Sequence, residues 1–175
     1  MAEGQIQLQI ITPAGVQLSE AISELTAPSV DGQFGVLPGH RPMLAALATG
    51  IVSYVQGAVT HEVAVGAGYV EIHDDQAVVI TLRYSTKGAV DPVRVRLDLK
   101  EADLALETYS GELGSHDHIE LVERELWAAA LLELYGDPPP PTMRVHGLPP
   151  VVEDYVQKAA QSDEADASTG PAGGA

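Results

Sequence analysis

The sequence predicts a β sandwich of two packed, mostly antiparallel sheets, followed by an α-helical hairpin, α+β overall. Three observations carry this. Gln5-Ile6-Gln7-Leu8-Gln9-Ile10 alternates polar and apolar residues strictly, the period of a strand with one buried face. Short apolar runs punctuated by turn residues then continue to about Arg83. From Asp91 to about Gly136 the apolar period lengthens to that of a helix. The chain divides accordingly into a β domain over 1–88, a two-helix hairpin over 89–136 and a tail over 137–175.

After Ile10 the strand pattern continues less cleanly through Gly15-Val16-Gln17-Leu18 and Ala21-Ile22-Ser23-Glu24-Leu25. The stretch from Pro28 to Met43 holds three glycines and three prolines in sixteen residues, yet keeps Phe34, Val36, Leu37 and Met43 apolar. Proline fixes φ, glycine permits positive φ, and Asp31-Gly32 favours a tight turn. The segment therefore reads as two shaped turns around a short buried strand, an arrangement suited to presenting a surface. Gly50 to Val55, a Gln56-Gly57 turn and Val59 to Val65 follow as a hairpin, then Tyr69 to Ile72 and Ala77 to Leu82 across Asp74-Asp75. Gly66-Ala67-Gly68 lacks both the third glycine and the following helix of a dinucleotide site. Close approach of two strands, or a bulge, accounts for it.

Asp91-Pro92 suits a helix N-cap followed by proline at the first helical position. Val95, Leu99, Ala102, Leu106 and Tyr109 share one face at helical spacing, and Val93, Leu97 and Leu104 lie nearly opposite. Val93 to Leu99 also alternates like a strand, but the better helix formers after Leu99 favour a helix. Ser110 to Ser115 reads as a loop, after which Asp117 caps a second helix, with Glu120 completing a capping box. Ile119, Val122, Leu126, Ala130 and Leu134 give that helix an apolar stripe, widened by Trp127 and Leu131. Of the two faces of the first helix, one is expected to pack on the second helix. The other is expected on the sandwich or, with the hairpin extended, on a partner. The tail opens with four prolines and is rich in Pro, Gly and acids, so disorder is expected there. Within it, Val151 to Gln161 can form a short amphipathic helix.

Composition narrows the function. Apolar residues make up 45 % of the 175, enough for a core, and with one Trp and one Phe the aliphatic residues must fill it. Cysteine is absent, which excludes disulfides, thiolate metal sites and thiol catalysis. No apolar run approaches the ~20 residues that span a bilayer, and no basic leader is recognisable, so a soluble protein is expected. The formal net charge of −16 makes nucleic acid a poor partner and disfavours direct insertion into anionic lipid. Acidity rises along the chain: eight acids against three bases over 1–90, eleven against four over 91–136, and six against two over 137–175.

Few residues suggest catalysis. His116, His118 and Glu120 could ligate a metal, and a metal-dependent enzyme is one alternative, but polar and acidic residues belong at a helix start in any case. His40 has neither nucleophile nor orienting carboxylate in an evident arrangement, and a turn histidine bonding nearby backbone is the simpler reading. No cofactor or metal is expected.

Leu8-Gln9-Ile10-Ile11-Thr12-Pro13-Ala14-Gly15, Asp31-Gly32-Gln33-Phe34-Gly35-Val36-Leu37-Pro38-Gly39-His40, Gly50-Ile51-Val52 and Val65-Gly66-Ala67-Gly68-Tyr69-Val70-Glu71-Ile72 together resemble, in order and spacing, the epsilon subunit of F-type ATP synthases. This bacterial and chloroplast subunit is the equivalent of mitochondrial delta. The likeness covers roughly residues 5 to 135, and the Gly-Val-Leu-Pro-Gly-His core is its most specific part; it too favours a helix at Val93 to Leu99. The resemblance implies a non-catalytic rotor subunit of the central stalk, on the cytoplasmic face of the membrane, which clamps the gamma subunit to the c ring. It implies that Gln33 and the corner His40-Arg41-Pro42 face the polar loops of the ring. Asp91 and Arg94 fall where some relatives bind ATP as a regulatory ligand, which makes an ATP-sensing module a second alternative. Here Pro92 intrudes and Val95 replaces an alanine, so helix capping is the plainer role. Basic residues on the family's hairpin engage the alpha/beta catalytic head and inhibit hydrolysis. This hairpin offers only Arg94, Arg96, Lys100 and Arg124 against eleven acids, which weakens such a grip.

Overall fold

The computed structural model describes residues 4–139. Strict alternation at the start becomes strand β1, Ile6–Thr12, with Ile6, Leu8 and Ile10 inward and the glutamines outward. β2 (Gly15–Ile22) returns antiparallel to it, and β3 (Glu24–Ser29) crosses to the other half of the domain. Then come β4 (Gly32–Val36), β5 (Met43–Leu47), β6 (Gly50–Gln56), β7 (Val59–Val65), β8 (Gly68–His73), β9 (Gln76–Thr81) and β10 (Tyr84–Thr86).

These ten strands are joined in the order β10-β7-β6-β3-β5-β8-β9-β1-β2, with β4 on β3. All pairs are antiparallel except β1 with β9. β3 makes the turn between the layers: Glu24 to Thr26 pair with β6, while Ser29 pairs with Leu47 of β5. The far edge comes back to the first layer where Gln56 Nε2 donates to Glu20 Oε2 at 2.8 Å, so the sandwich is nearly closed. One aliphatic core fills it, built from alternate residues of both layers such as Leu8, Ile22, Leu25, Val52, Val65 and Val79.

Helix α1 (Pro92–Glu107) and helix α2 (His116–Tyr135) form the expected antiparallel hairpin. The local ambiguity at Val93 to Leu99 is resolved by the cap: the Asp91 carboxylate accepts from Val93 N–H at 3.0 Å and Arg94 N–H at 3.2 Å. Val95 and Leu99 then meet Ala128 and Leu132 in a second, smaller core.

Five expectations need correction. β5 and β10 carry no clear strand pattern; β5 is a strand because β3 and β8 hold it from either side. The strand inside the Pro28–Met43 segment, β4, is only partly buried, because it pairs with β3 alone. The cap of α2 is Ser115, whose Oγ accepts from His118 N–H at 3.4 Å, and Asp117 lies within the first turn. Helix α2 buries two sides: Ala130 and Leu134 of the expected stripe, and, nearly opposite, His118, Glu125, Ala128 and Leu132, which the stripe did not include, while Ile119 and Leu126 at its N-terminal half are exposed. Finally, it is α2 that rests on the sandwich, against β6 and β7. Thr49 Oγ1 donates to Glu123 Oε2 at 2.9 Å across that junction, and Arg83 lies 5.9 Å from the Trp127 ring. Among the described residues the second face of α1, with Val93, Leu97 and Leu104, stays exposed. The readings of the tail beyond residue 139, including the helix at Val151 to Gln161, lie outside the described residues.

Candidate functional site

The corner that joins β4 to β5 is held from both sides. Gly39 adopts φ +79°, and its N–H donates to Asp75 Oδ1 at 2.6 Å in the turn between β8 and β9. A side chain at 39 would be strained in that left-handed conformation, so glycine there serves the turn. His40 N–H donates to the Leu37 carbonyl at 3.1 Å, and its Nδ1–H donates to the Arg41 carbonyl at 2.8 Å. A carbonyl can only accept, which fixes the proton on Nδ1. The imidazole is thus an internal brace of the turn, and Arg41 and Pro42 are presented on its exposed side. Among the described residues no nucleophile or carboxylate is hydrogen-bonded to His40, so the geometry gives it no acid–base partner.

Gln33 lies elsewhere. It is exposed on β4 opposite Pro28, beside the turn closed by Ser29 Oγ donating to the Gly32 carbonyl at 2.7 Å. At about 3.3 Å per residue the strand carries the chain ~10 Å from Gln33 to Val36 before the corner begins. Gln33 and the corner therefore sit at opposite ends of β4. The resemblance assigns both to one partner, and the strand separates them by that distance.

A larger feature escaped the sequence reading. Strand register lines up Ala46, Tyr69, Ile80, Ile11 and Val16 across β5, β8, β9, β1 and β2. These residues alternate with the core positions, so the row faces outward. Tyr69 is 61 % exposed and Ile80 52 %. Leu44, 71 % exposed, extends the patch along β5, while its own cross-strand neighbour is Glu71. The apolar row runs near the end of the sheet away from the His40 corner. Solvated sheet faces are ordinarily polar, and β1 obeys that rule with Gln7 and Gln9. A contiguous exposed apolar row marks an interaction surface. The signal was present in the sequence as Tyr69 and Ile80 out of phase with the buried residues of their strands. Only the register shows that they adjoin.

The hairpin engages most of its own positive charge. Arg94 Nε donates to Asp98 Oδ1 at 3.3 Å, Arg96 Nε to Asp137 Oδ2 at 2.9 Å, and Arg124 Nη2 to Glu101 Oε2 at 2.9 Å. Lys100 is exposed. Asp91 is occupied as the cap of α1, so neither member of the Asp91 and Arg94 pair is free of internal partners. His116, His118 and Glu120 do not converge. The Nδ1 of His118 accepts from Gly114 N–H at 3.2 Å and its ring lies against Tyr109, closing the loop between the helices. Among the described residues no three His, Asp or Glu side chains are grouped to hold an ion. No helix among them is long and apolar enough to cross a membrane.

Comparisons with known proteins agree in direction. Residues 5–86 match the family model described as the ATP synthase delta/epsilon chain, beta-sandwich domain. ATP synthase epsilon chain 2 of Syntrophotalea carbinolica is 39 % identical over 102 residues, covering 58 % of this chain and 74 % of that protein. The ATP synthase epsilon chain of Anaeromyxobacter sp. (strain K) is 33 % identical over 111 residues, covering 63 % and 84 %. A chain of the Euglena gracilis mitochondrial ATP synthase, solved by cryo-EM, superposes with a TM-score of 0.59 at 20 % identity, covering 76 % of this chain and 78 % of that one. At that identity it supports the fold.

Proposed function

This chain belongs to the family of ATP synthase epsilon chains, and we propose that it works there as a non-catalytic rotor element, clamping the gamma subunit to the c ring. Torque needs a stiff body held at two places, and no bond-breaking chemistry. The nearly closed sandwich with one continuous core is the stiff body. The apolar row through Tyr69 and Ile80 carries the proposal, because a face this apolar is costly in water and suits permanent burial against a partner. We assign it to gamma. The corner at Arg41 and Pro42, braced by His40 and tied to Asp75, is assigned to the polar loops of the c ring, with Gln33 as a separate contact. Position on the cytoplasmic face of the membrane follows from that attachment.

Charge argues against a strong electrostatic hold of this hairpin on the catalytic head. Its three arginines each have a carboxylate partner within the chain. ATP sensing through Asp91 and Arg94 would require breaking the cap of α1, and calorimetry of the purified chain with ATP is expected to give no binding heat. A tagged chain expressed in its own host is expected to recover gamma and c subunits together. Recovery of neither would overturn the assignment.

A further inference from the structure

We propose that the outer face of α1 is a docking groove for this chain's own tail, and that residues 151–161 lie along it as a third helix. The face is open among the described residues because α2 makes the main contact with the sandwich. Val93, Leu97 and Leu104 are 65, 56 and 60 % exposed, and they align along one side of the helix. Lys100 completes that side between Leu97 and Leu104, Glu107 closes its C-terminal end, and Arg94, Arg96, Glu101 and Asp103 flank it.

Four observations name the occupant. The first is where the described chain leads. Asp137, the residue after the glycine that ends α2, is held by Arg96 in the second turn of α1, so the tail sets out beside the open face. The second is reach. Residues 138–150 hold six prolines, and thirteen residues in an extended proline-rich conformation cover up to ~40 Å. The sixteen residues of α1 span only ~24 Å.

The third is pattern. Val151, Val152, Tyr155, Val156 and Ala159 recur at i, i+1, i+4, i+5 and i+8, one apolar arc of a helix about 12 Å long. Val93 to Leu104 offers an apolar line of about 16 Å to meet it. Pro149 and Pro150 immediately before the arc suit a helix start. The fourth is charge. Glu153 and Asp154 border the arc, with Lys158 between Asp154 and Val151, and the open face of α1 carries the exposed Lys100, while the arginines at its border are already held by Asp98 and Asp137. The same face cannot then serve an external partner without first displacing the tail, which makes the tail a competitor for it.

The chain has no cysteine, so introduced pairs report proximity without background. In the full-length protein, Leu97→Cys combined with Tyr155→Cys is expected to form an intramolecular disulfide under mild oxidation. The control pair, Leu37→Cys at the far corner of the sandwich with Tyr155→Cys, is expected to form it at least about tenfold more slowly. Equal rates for both pairs would overturn the proposal, as would a disulfide found only between two copies. Hydrogen exchange gives a second reading: truncation after Asp137 is expected to speed exchange in Val93 to Leu104 about tenfold and to leave β1 unchanged. Unchanged α1 exchange on truncation contradicts docking. Since Leu97 and Leu37 are exposed, the substitutions leave both cores intact.

Discussion

Gly68 is the most constrained glycine of the β domain. A Cβ there would stand 2.0 Å from the Ile80 carbonyl oxygen, which is backbone and cannot swing aside. Gly68→Ala is therefore expected to cost at least about 2 kcal/mol, read as a lower urea midpoint at unchanged slope. The glycines at 66 and 68 read in the sequence as a close strand approach or a bulge, since the third glycine and the helix of a dinucleotide site are missing. Thr81 Oγ1 donating to the Gly66 carbonyl at 2.8 Å shows how tightly the strands are drawn together there. At the same scale, burial holds the Tyr84 phenol above its ordinary value of 10.0; burial, then Tyr84 and Glu20, do the same for Tyr54. Each folded phenol thus keeps its proton more tightly than the unfolded one. Their contribution is complete below pH 10 and is lost as the pH rises through the raised values. Stability measured by urea is expected to fall above pH 10, and Tyr54→Phe is expected to flatten that fall.

Among elements, the hairpin shows what helical patterning can and cannot convey. Two opposed apolar faces on α1 were legible, and so was the inner one, because Val95, Leu99 and Ala102 recur at 3.6-residue spacing. What covers the other face was not, since periodicity says that a face is apolar without saying what lies against it. The expectation placed the sandwich there or, with the hairpin extended, a partner; α2 takes the place on the sandwich, and only three-dimensional packing decides this. Leu99→Ala removes a contact between the helices and is expected to cost about 2–5 kcal/mol of hairpin stability. Heteronuclear NMR should then show α1 and α2 losing exchange protection while β1 to β10 keep theirs. β5 was illegible for a different reason. Leu44-Ala45-Ala46-Leu47 has the composition of a helix, and its strand state comes from pairing on both sides. Asp91, by contrast, was readable as a cap directly from Asp-Pro. Asp91→Ala is expected to cost about 1 kcal/mol and to speed exchange at Val93 and Arg94 first.

For the whole molecule, the fold class was readable from the switch between periods of two and 3.6, and the family from the Gly-Val-Leu-Pro-Gly-His core. The candidate contact surfaces were readable only in part. His40, Arg41 and Pro42 share one short motif, so their corner could be anticipated. The apolar row draws Ala46, Tyr69, Ile80, Ile11 and Val16 from five strands, and no local pattern brings them together. That row is also what the clamp depends on, since a stiff body transmits torque only if it is gripped. The decisive measurement is a binding titration of the purified chain with its gamma subunit, comparing wild type with Tyr69→Asp combined with Ile80→Asp. Both positions are exposed, so the variant should keep the wild-type circular dichroism and melting. It is expected to bind gamma at least about a hundredfold more weakly. Wild-type affinity in the well-folded double variant would contradict the account.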